Sequence, residues 1–442
     1  MNSLYQLNKQ LKVFNLTFPI WKLLSKKRKL DIYCYLLTSL FAALLEAPLI
    51  YAFETFLIKF TSGEVIENNL IFKFIKLFNI ENNSYLDLYI LFFFILFTIT
   101  STLIKLFNIK LSLTISALIG NDLSKIIYRN KLKENYLDFI NSNSSKIINI
   151  CTREINNTIN AISLLLQGIT FIMVSSVIII LISFNYTKVL ILISLVLLIT
   201  YLLISLITNK IFYSNSKVIS TMGEKSIKVL QESINSFKDI LLNKKINTFY
   251  EEFSESDLKM RKALANNSYL YSTPKNIIES TGLIFIIALA YFSKGQSNII
   301  ATLGALAFSL QRLLISAQGA YGSWAAIKSY EKPISNVVSA LRSNLSEKKF
   351  AKKEINFQKI IKLEKLGFSY NNKKGLVLKD INLNIQKNSF FGIIGSSGSG
   401  KSTLLDLIMC LLKPTEGKIL IDNMNPFLND LNFPNLYWKN KI

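Results

Sequence analysis

Six apolar stretches mark the first three-quarters of the chain, at about residues 32–59, 87–108, 159–184, 187–208, 276–293 and 298–317. Crossing hydrocarbon takes roughly 20 helical residues, so the pattern predicts six membrane helices. The connectors between them differ in charge. Residues 109–158 and 209–275 are long, polar and net basic, whereas 60–86 and the short links near 185 and 295 are not, which places the long connectors on the cytoplasmic side. Their apolar positions keep the helical period, as in Ser226 to Leu242 with Ile227, Val229, Leu230, Ile234, Phe237, Ile240 and Leu241. The membrane helices are therefore expected to continue as packed cytoplasmic extensions, with separate soluble inserts as the alternative. After the sixth stretch the helix is expected to run to about Leu341, and Ser343 to Glu354 reads as a lysine-rich linker. Beyond it the period turns strand-like at Ile360 to Leu363, Val377 to Ile385, Phe390 to Ile394 and Gly417 to Asp422, with a helix over Ser402 to Leu412. The expected organisation is a helical membrane domain over 1–345, a linker over 346–356 and an α/β segment over 357–442.

Composition agrees with lipid burial. Half of the 442 residues are hydrophobic and the mean hydropathy is +0.35, too apolar for an ordinary soluble protein. The net charge of +23 is spread between apolar runs and forms no compact basic-aromatic module, so no nucleic-acid partner is expected. Residues 1–30 carry Lys9, Lys12, Lys22, Lys26, Lys27, Arg28 and Lys29 with no acidic residue, a cytoplasmic anchor by the positive-inside rule; no cleavable signal peptide is visible. Cys34, Cys151 and Cys410 lack framework or metal-type spacing and read as reduced and structural. Histidine is absent, which removes imidazole catalysis, His metal sites and His pH sensing.

The chemistry concentrates at Gly395-Ser396-Ser397-Gly398-Ser399-Gly400-Lys401-Ser402-Thr403, a G-x-x-x-x-G-K-[ST] phosphate loop set between a predicted strand and a predicted helix. Its glycines let consecutive N–H groups converge on one centre, and the helix adds its positive end. By the mechanics of this motif Lys401 reaches the β- and γ-phosphates, the Ser402 hydroxyl ligates Mg²⁺, and Thr403 adds a hydroxyl near the phosphates. ATP and Mg²⁺ are the expected cofactors. In the apolar stretches, Glu46, Lys105, Glu279 and Arg312 are ionisable groups at membrane depth, which normally face a wet cavity or pair with each other. Arg312 suits a diphosphate through its planar fork, with Glu46 as a second substrate candidate; an ion pair of Arg312 with Glu46 or Glu279 is the alternative. Lys105 is expected to snorkel to the headgroups. Asp422 reads as turn chemistry.

Taken together the chain resembles an ABC exporter half-transporter over nearly its whole length. In the soluble part the resemblance rests on Leu366-Gly367-Phe368-Ser369-Tyr370, Leu378-Lys379-Asp380-Ile381-Asn382, the phosphate loop, and Leu411 to Ile419. It implies a polytopic α-helical domain of six transmembrane helices followed by a partial α/β P-loop nucleotide-binding domain. It also makes Tyr370 the aromatic that stacks on adenine, a buried strand-end tyrosine being the alternative reading. Residues near 125–145 and 234–250 would hold the short coupling helices that dock on the nucleotide-binding domains. Leu44 to Pro48 and Ser236 to Ile240 look most like flippases of polyprenyl-diphosphate-linked oligosaccharides, with other lipids, drugs or peptides as alternative cargo. The implied setting is the bacterial inner membrane, with the N-terminus and nucleotide-binding domain cytoplasmic and a homodimer or second half-transporter as partner. The family's glutamine loop, signature, Walker B and switch motifs are not seen in the 41 residues after Lys401. The expectation is therefore a fragment of a transporter, or a short product completed by a second chain, that binds ATP without hydrolysing it. No catalytic residue is assigned.

Overall fold

Two prolines set the ends of two helices. Proline offers no N–H to the carbonyl four residues earlier and its ring clashes with it, so a helix breaks or kinks there; Pro274, inside a long helix, does not end it. In the computed structural model, helix α1 (Lys26–Leu44) ends four residues before Pro48 and α2 (Glu46–Ser62) begins after Leu45. The expected single stretch over 32–59 is thus two helices. The same offset recurs at Pro333: α10 (Ile299–Ser329) ends four residues before it and α11 (Glu331–Arg342) follows. Residues 19–62, 86–134, 136–141, 144–185, 187–292, 299–342, 357–370 and 375–427 are described. Lys9 and Lys12 of the basic anchor, most of the 60–86 connector, the link near 295, the 343–354 linker and the chain beyond residue 427 lie outside them.

Between the proline breaks run α3 (Leu86–Leu132), α4 (Tyr136–Asn141), α5 (Ser144–Asn149), a π-helix (Ile150–Glu154), α6 (Ile155–Asn185), α7 (Thr187–Asn235), α8 (Phe237–Leu242) and α9 (Ile246–Phe292). Helices of 47 and 49 residues far exceed a bilayer crossing. Three described stretches, Lys26–Thr61, Leu88–Leu132 and Ser144–Ser183, are long and apolar enough to cross a membrane.

The chain divides into two compact units, residues 1–125 with 145–339, and residues 126–144 with 340–442. In the first unit α10 packs on α6 and α7 on α9. Side-chain hydroxyls and amides bridge the helices: Tyr35 and Thr170 hydroxyls meet at 2.7 Å, Thr38 donates to Asn108 at 2.6 Å, and Ser175 donates to Ser316 at 2.8 Å. Each such bond contributes roughly 0.6 kcal/mol in a membrane. Small residues allow close crossing, since a Cβ on Gly319 would lie 2.5 Å from the Phe171 ring. Leu88, Phe92, Ile95, Ile99, Leu103 and Leu106 form an exposed apolar stripe on α3, at the three-and-four spacing of one helix face. Such a stripe fits lipid. At the start of α1, Arg28 donates to Asp122 at 2.9 Å and Asp31 at 3.2 Å, so one member of the basic anchor ties α1 to α3.

The second unit is built on a three-stranded antiparallel sheet, order β2-β1-β3, formed by β1 (Ile360–Phe368), β2 (Leu378–Gln386) and β3 (Glu416–Ile421). Ile361 and Leu363 of the central strand face Ile385 and Leu383 on one side and Ile421 and Ile419 on the other. Helix α12 (Lys401–Ile408) adds Leu404 and Leu407 to this core, and Tyr136 and Leu137 of α4 pack against it. That packing is why residues 126–144 group with the second unit. Helix α12 stops short of the expected Leu412. Cys410 turns left-handed (φ 56°), its N–H bonds to the Leu407 carbonyl, and the Leu411 N–H reaches back to Asp406, a Schellman closure.

One expected strand is not formed. Phe390 to Ile394 is irregular, with Phe390 and Ile394 fully exposed. An apolar run becomes a strand only when neighbours take its N–H and C=O groups, and among the described residues none flanks it. Asp422 is turn chemistry with a further role. At φ 46° its carboxylate accepts the N–H groups of Gln358, Lys359 and Ile360, the latter two at 2.8 Å, holding the start of β1.

Two predictions follow from this sheet. Gly417 has φ 71°, and a Cβ there would lie 2.2 Å from the Lys365 carbonyl oxygen. Gly417→Ala should therefore cost at least ~2 kcal/mol, read as a lower denaturant midpoint for the second unit; an unchanged midpoint contradicts the close approach. For Asp422, burial pushes the carboxyl up, but the three backbone donors and Lys359 outweigh it and hold it below its usual range. A depressed folded value stabilises above the ordinary carboxylate range and is lost as pH falls through it. The stability gap between wild type and Asp422→Asn should accordingly be present at pH 7 and shrink as pH falls below the ordinary carboxylate range.

Candidate nucleotide site

The loop between β2 and α12 takes its shape from two glycines. Gly398 and Gly400 sit at φ 81° and 88°, in the left-handed region that side chains avoid. Gly400 is also pressed against β2: a Cβ on it would lie 2.8 Å from Leu378. Gly400 is the N-cap of α12 and supplies no side chain to cap it. The first-turn N–H groups are thus left for an incoming acceptor, and the helix dipole favours an anionic one.

The predicted residues gather at this point. The Lys401 ammonium donates to the carbonyls of Gly395 and Ser396, at 2.9 and 2.6 Å, so it lies folded over the loop it belongs to. Ser399 closes a turn onto Ser396 at 3.3 Å, and Ser402 is exposed at the helix start. Thr403 is buried (6 % exposed), with its hydroxyl 3.1 Å from that of Tyr370. Tyr370 is 39 % exposed, and its ring is perpendicular to that of Phe368 with centroids 4.9 Å apart. An uncapped helix start below left-handed glycines fits a polyphosphate. Among the described residues no group of three or more His, Cys, Asp or Glu could hold a metal. A Mg²⁺ at Ser402 would then be carried by one hydroxyl, phosphate oxygens and water, a habit of that ion.

The short helix expected near 125–145 is α4, and it packs against the core that holds α12. Tyr136 of α4 hydrogen-bonds Asp406, one turn beyond the phosphate loop; burial pushes both groups up, and the shared hydrogen bond pulls Asp406 part of the way back. The resemblance placed a docking helix in this connector, but not the Tyr136-Asp406 pair itself.

The membrane residues do not gather into one group. Glu46 is fully buried where α1 breaks, and it pairs with Lys105 of α3. Lys105 therefore does not snorkel: a buried carboxylate needs a cation more than the headgroups do. Arg312 of α10 lies over the Phe308 ring at 5.2 Å, and Phe308 stacks on Phe53 at 4.3 Å. No carboxylate pairs with Arg312 among the described residues, so it is not the partner of Glu46. Glu279 is exposed on α9.

A left-handed glycine loop opening onto an uncapped helix, carried on a chain of long lipid-faced helices, defines a nucleotide-binding membrane protein. Comparison with known families is specific. Residues 29–312 match the ABC transporter transmembrane region and residues 378–434 match the ABC transporter family of ATP-binding domains. The chain belongs to the ABC transporter family. It is 28 % identical over 293 residues to the heterocyst differentiation ATP-binding protein HepA of Nostoc, covering 65 % of this chain and 47 % of that protein. It is 28 % identical over 204 residues to the nisin transport ATP-binding protein NisT of Lactococcus lactis, covering 44 % and 33 %. A 74-residue match to an ABC transporter ATP-binding protein of Methanocaldococcus jannaschii reaches 47 %, covering 16 % and 31 %. The chain thus spans about half or less of the length of these relatives.

Replacing the loop lysine gives the direct check. Lys401→Ala should reduce ATP affinity by two orders of magnitude or more, measured by equilibrium binding in detergent. Retained affinity overturns the phosphate-loop assignment.

Proposed function

We propose that this chain is the membrane-spanning, ATP-binding half of an exporter that moves an anionic, lipid-linked substrate across a bacterial inner membrane. In this reading all six apolar stretches cross the bilayer, and the N-terminus and the ATP-binding segment are cytoplasmic. Residues 1–345 form the membrane domain and 357–442 part of the nucleotide-binding domain. Gly395 to Thr403 hold the phosphates of ATP, Ser402 contributes to Mg²⁺, and Tyr370 stacks on adenine. A second half, identical or not, completes the transporter, and ATP binding biases it between inward- and outward-facing states.

The observation that supports the cargo class is Arg312. It sits within an apolar helix, oriented by the Phe53-Phe308 stack, and no carboxylate pairs with it among the described residues. A guanidinium there is costly unless an anion or water meets it, and its planar fork suits a diphosphate. Polyprenyl-diphosphate-linked oligosaccharide is the leading cargo. Glu46 leaves the list of direct contacts, because Lys105 already occupies it. Likeness to a protein named for nisin transport favours a peptide as the second reading.

The transporter reconstituted in vesicles tests this. Flipping of a fluorescent diphosphate-linked polyprenyl glycan should fall at least about tenfold in Arg312→Ala, equivalent to ~1.4 kcal/mol or more, with ATP affinity unchanged. Flipping at the wild-type rate removes Arg312 from the cargo path.

A further inference from the structure

Within the first unit, Glu154 closes the π-helix and is 1 % exposed. Its Oε1 accepts three hydrogen bonds from three elements: Ser220 of α7 at 2.7 Å, Asn336 of α11 at 2.8 Å and Asn149 of α5 at 3.2 Å. Asn336 also donates to the Ser220 hydroxyl at 3.1 Å, and the Lys332 N–H donates to Ser216 at 3.0 Å. This set pins α11 to α7. Two buried acceptors in it have no donor, Glu154 Oε2 and Asn149 Oδ1. They belong to side chains that already touch each other through Asn149 Nδ2 and Glu154 Oε1. A bare carboxylate oxygen and a bare amide oxygen, both buried, are expensive.

A proton on Oε2 would supply a donor at this point while Oε1 keeps its three donors, and the orphan acceptor Asn149 Oδ1 belongs to the side chain already bonded to Oε1. We propose that Glu154 is a neutral carboxylic acid in the folded protein, and that its proton locks the π-helix, α7 and α11 in one arrangement. The charged groups around it do not require ionisation. Arg153, beside it on the π-helix, faces Asp257 and Arg261 of α9, while Glu224 of α7 and Lys332 of α11 act on Glu154 with opposite signs. π-Bulges concentrate at functional positions, and among the described residues α11 is the last helix before the sheet of the ATP-binding segment in sequence. Glu154 is thus a pH-sensitive latch: a buried neutral acid stabilises below its folded titration point, and the lock is lost as pH rises through it.

The test is the melting temperature of the full chain in detergent micelles at pH 7 and pH 9, for wild type, Glu154→Gln and Glu154→Ala. Glutamine copies the neutral acid, so Glu154→Gln should melt within about 2 °C of wild type at pH 7, while Glu154→Ala melts several degrees lower. At pH 9 the wild type should fall below Glu154→Gln as the proton is lost; a wild type that still equals Glu154→Gln there overturns the latch. A Glu154→Gln chain that melts as low as Glu154→Ala at pH 7, or does not fold, means that the carboxylate is ionised and overturns the proposal.

Discussion

Hydrocarbon gives a chain no water with which to satisfy a polar group, and the first unit follows from that restriction. Backbone N–H and C=O groups must close on themselves, so the chain runs as long helices interrupted where proline withdraws a donor. Hydroxyls and amides find partners on the neighbouring helix, as Thr38 does with Asn108 and Ser175 with Ser316. Charges obey the same demand. Glu46 is buried at the α1 break and takes Lys105, leaving Arg312 cushioned on Phe308 with its anion still to be supplied. The proposed cargo is the answer to that imbalance.

The second unit solves the opposite problem, keeping backbone donors available. Left-handed Gly398 and Gly400 bring the chain into α12 without a capping side chain, and Leu378 presses on Gly400 so that nothing larger fits. Lys401 holds the loop carbonyls, while Thr403 bonds Tyr370 and Asp406 bonds Tyr136. The first turns of one short helix therefore adjoin the glycine loop, Tyr370 and a connector helix.

Local signals were legible in the sequence. The phosphate loop is a contiguous motif, the strand pattern marked β1, β2 and β3, and Pro48 and Pro333 mark two helix breaks, although the same offset at Pro274 would have broken α9, which is continuous. What escaped was pairing at a distance. Nothing in the composition of α2 or α3 connects Glu46 with Lys105, 59 residues apart, or Glu154 with Asn336, 182 apart. Phe390 to Ile394 failed for a related reason. An apolar run signals burial without saying which chain segment will cover it.

The central claim is that the glycine loop and Tyr370 form one ATP site, with the phosphates on the loop and the base on the ring. Equilibrium binding of ATP and of inorganic tripolyphosphate, to wild type and to Tyr370→Ala in detergent, separates the two contributions. Base stacking is worth about 1–3 kcal/mol, so the variant should lose roughly tenfold or more in ATP affinity and bind tripolyphosphate as the wild type does. Equal ATP affinity in the two proteins, or an equal loss for both ligands, would contradict a ring that stacks on the base.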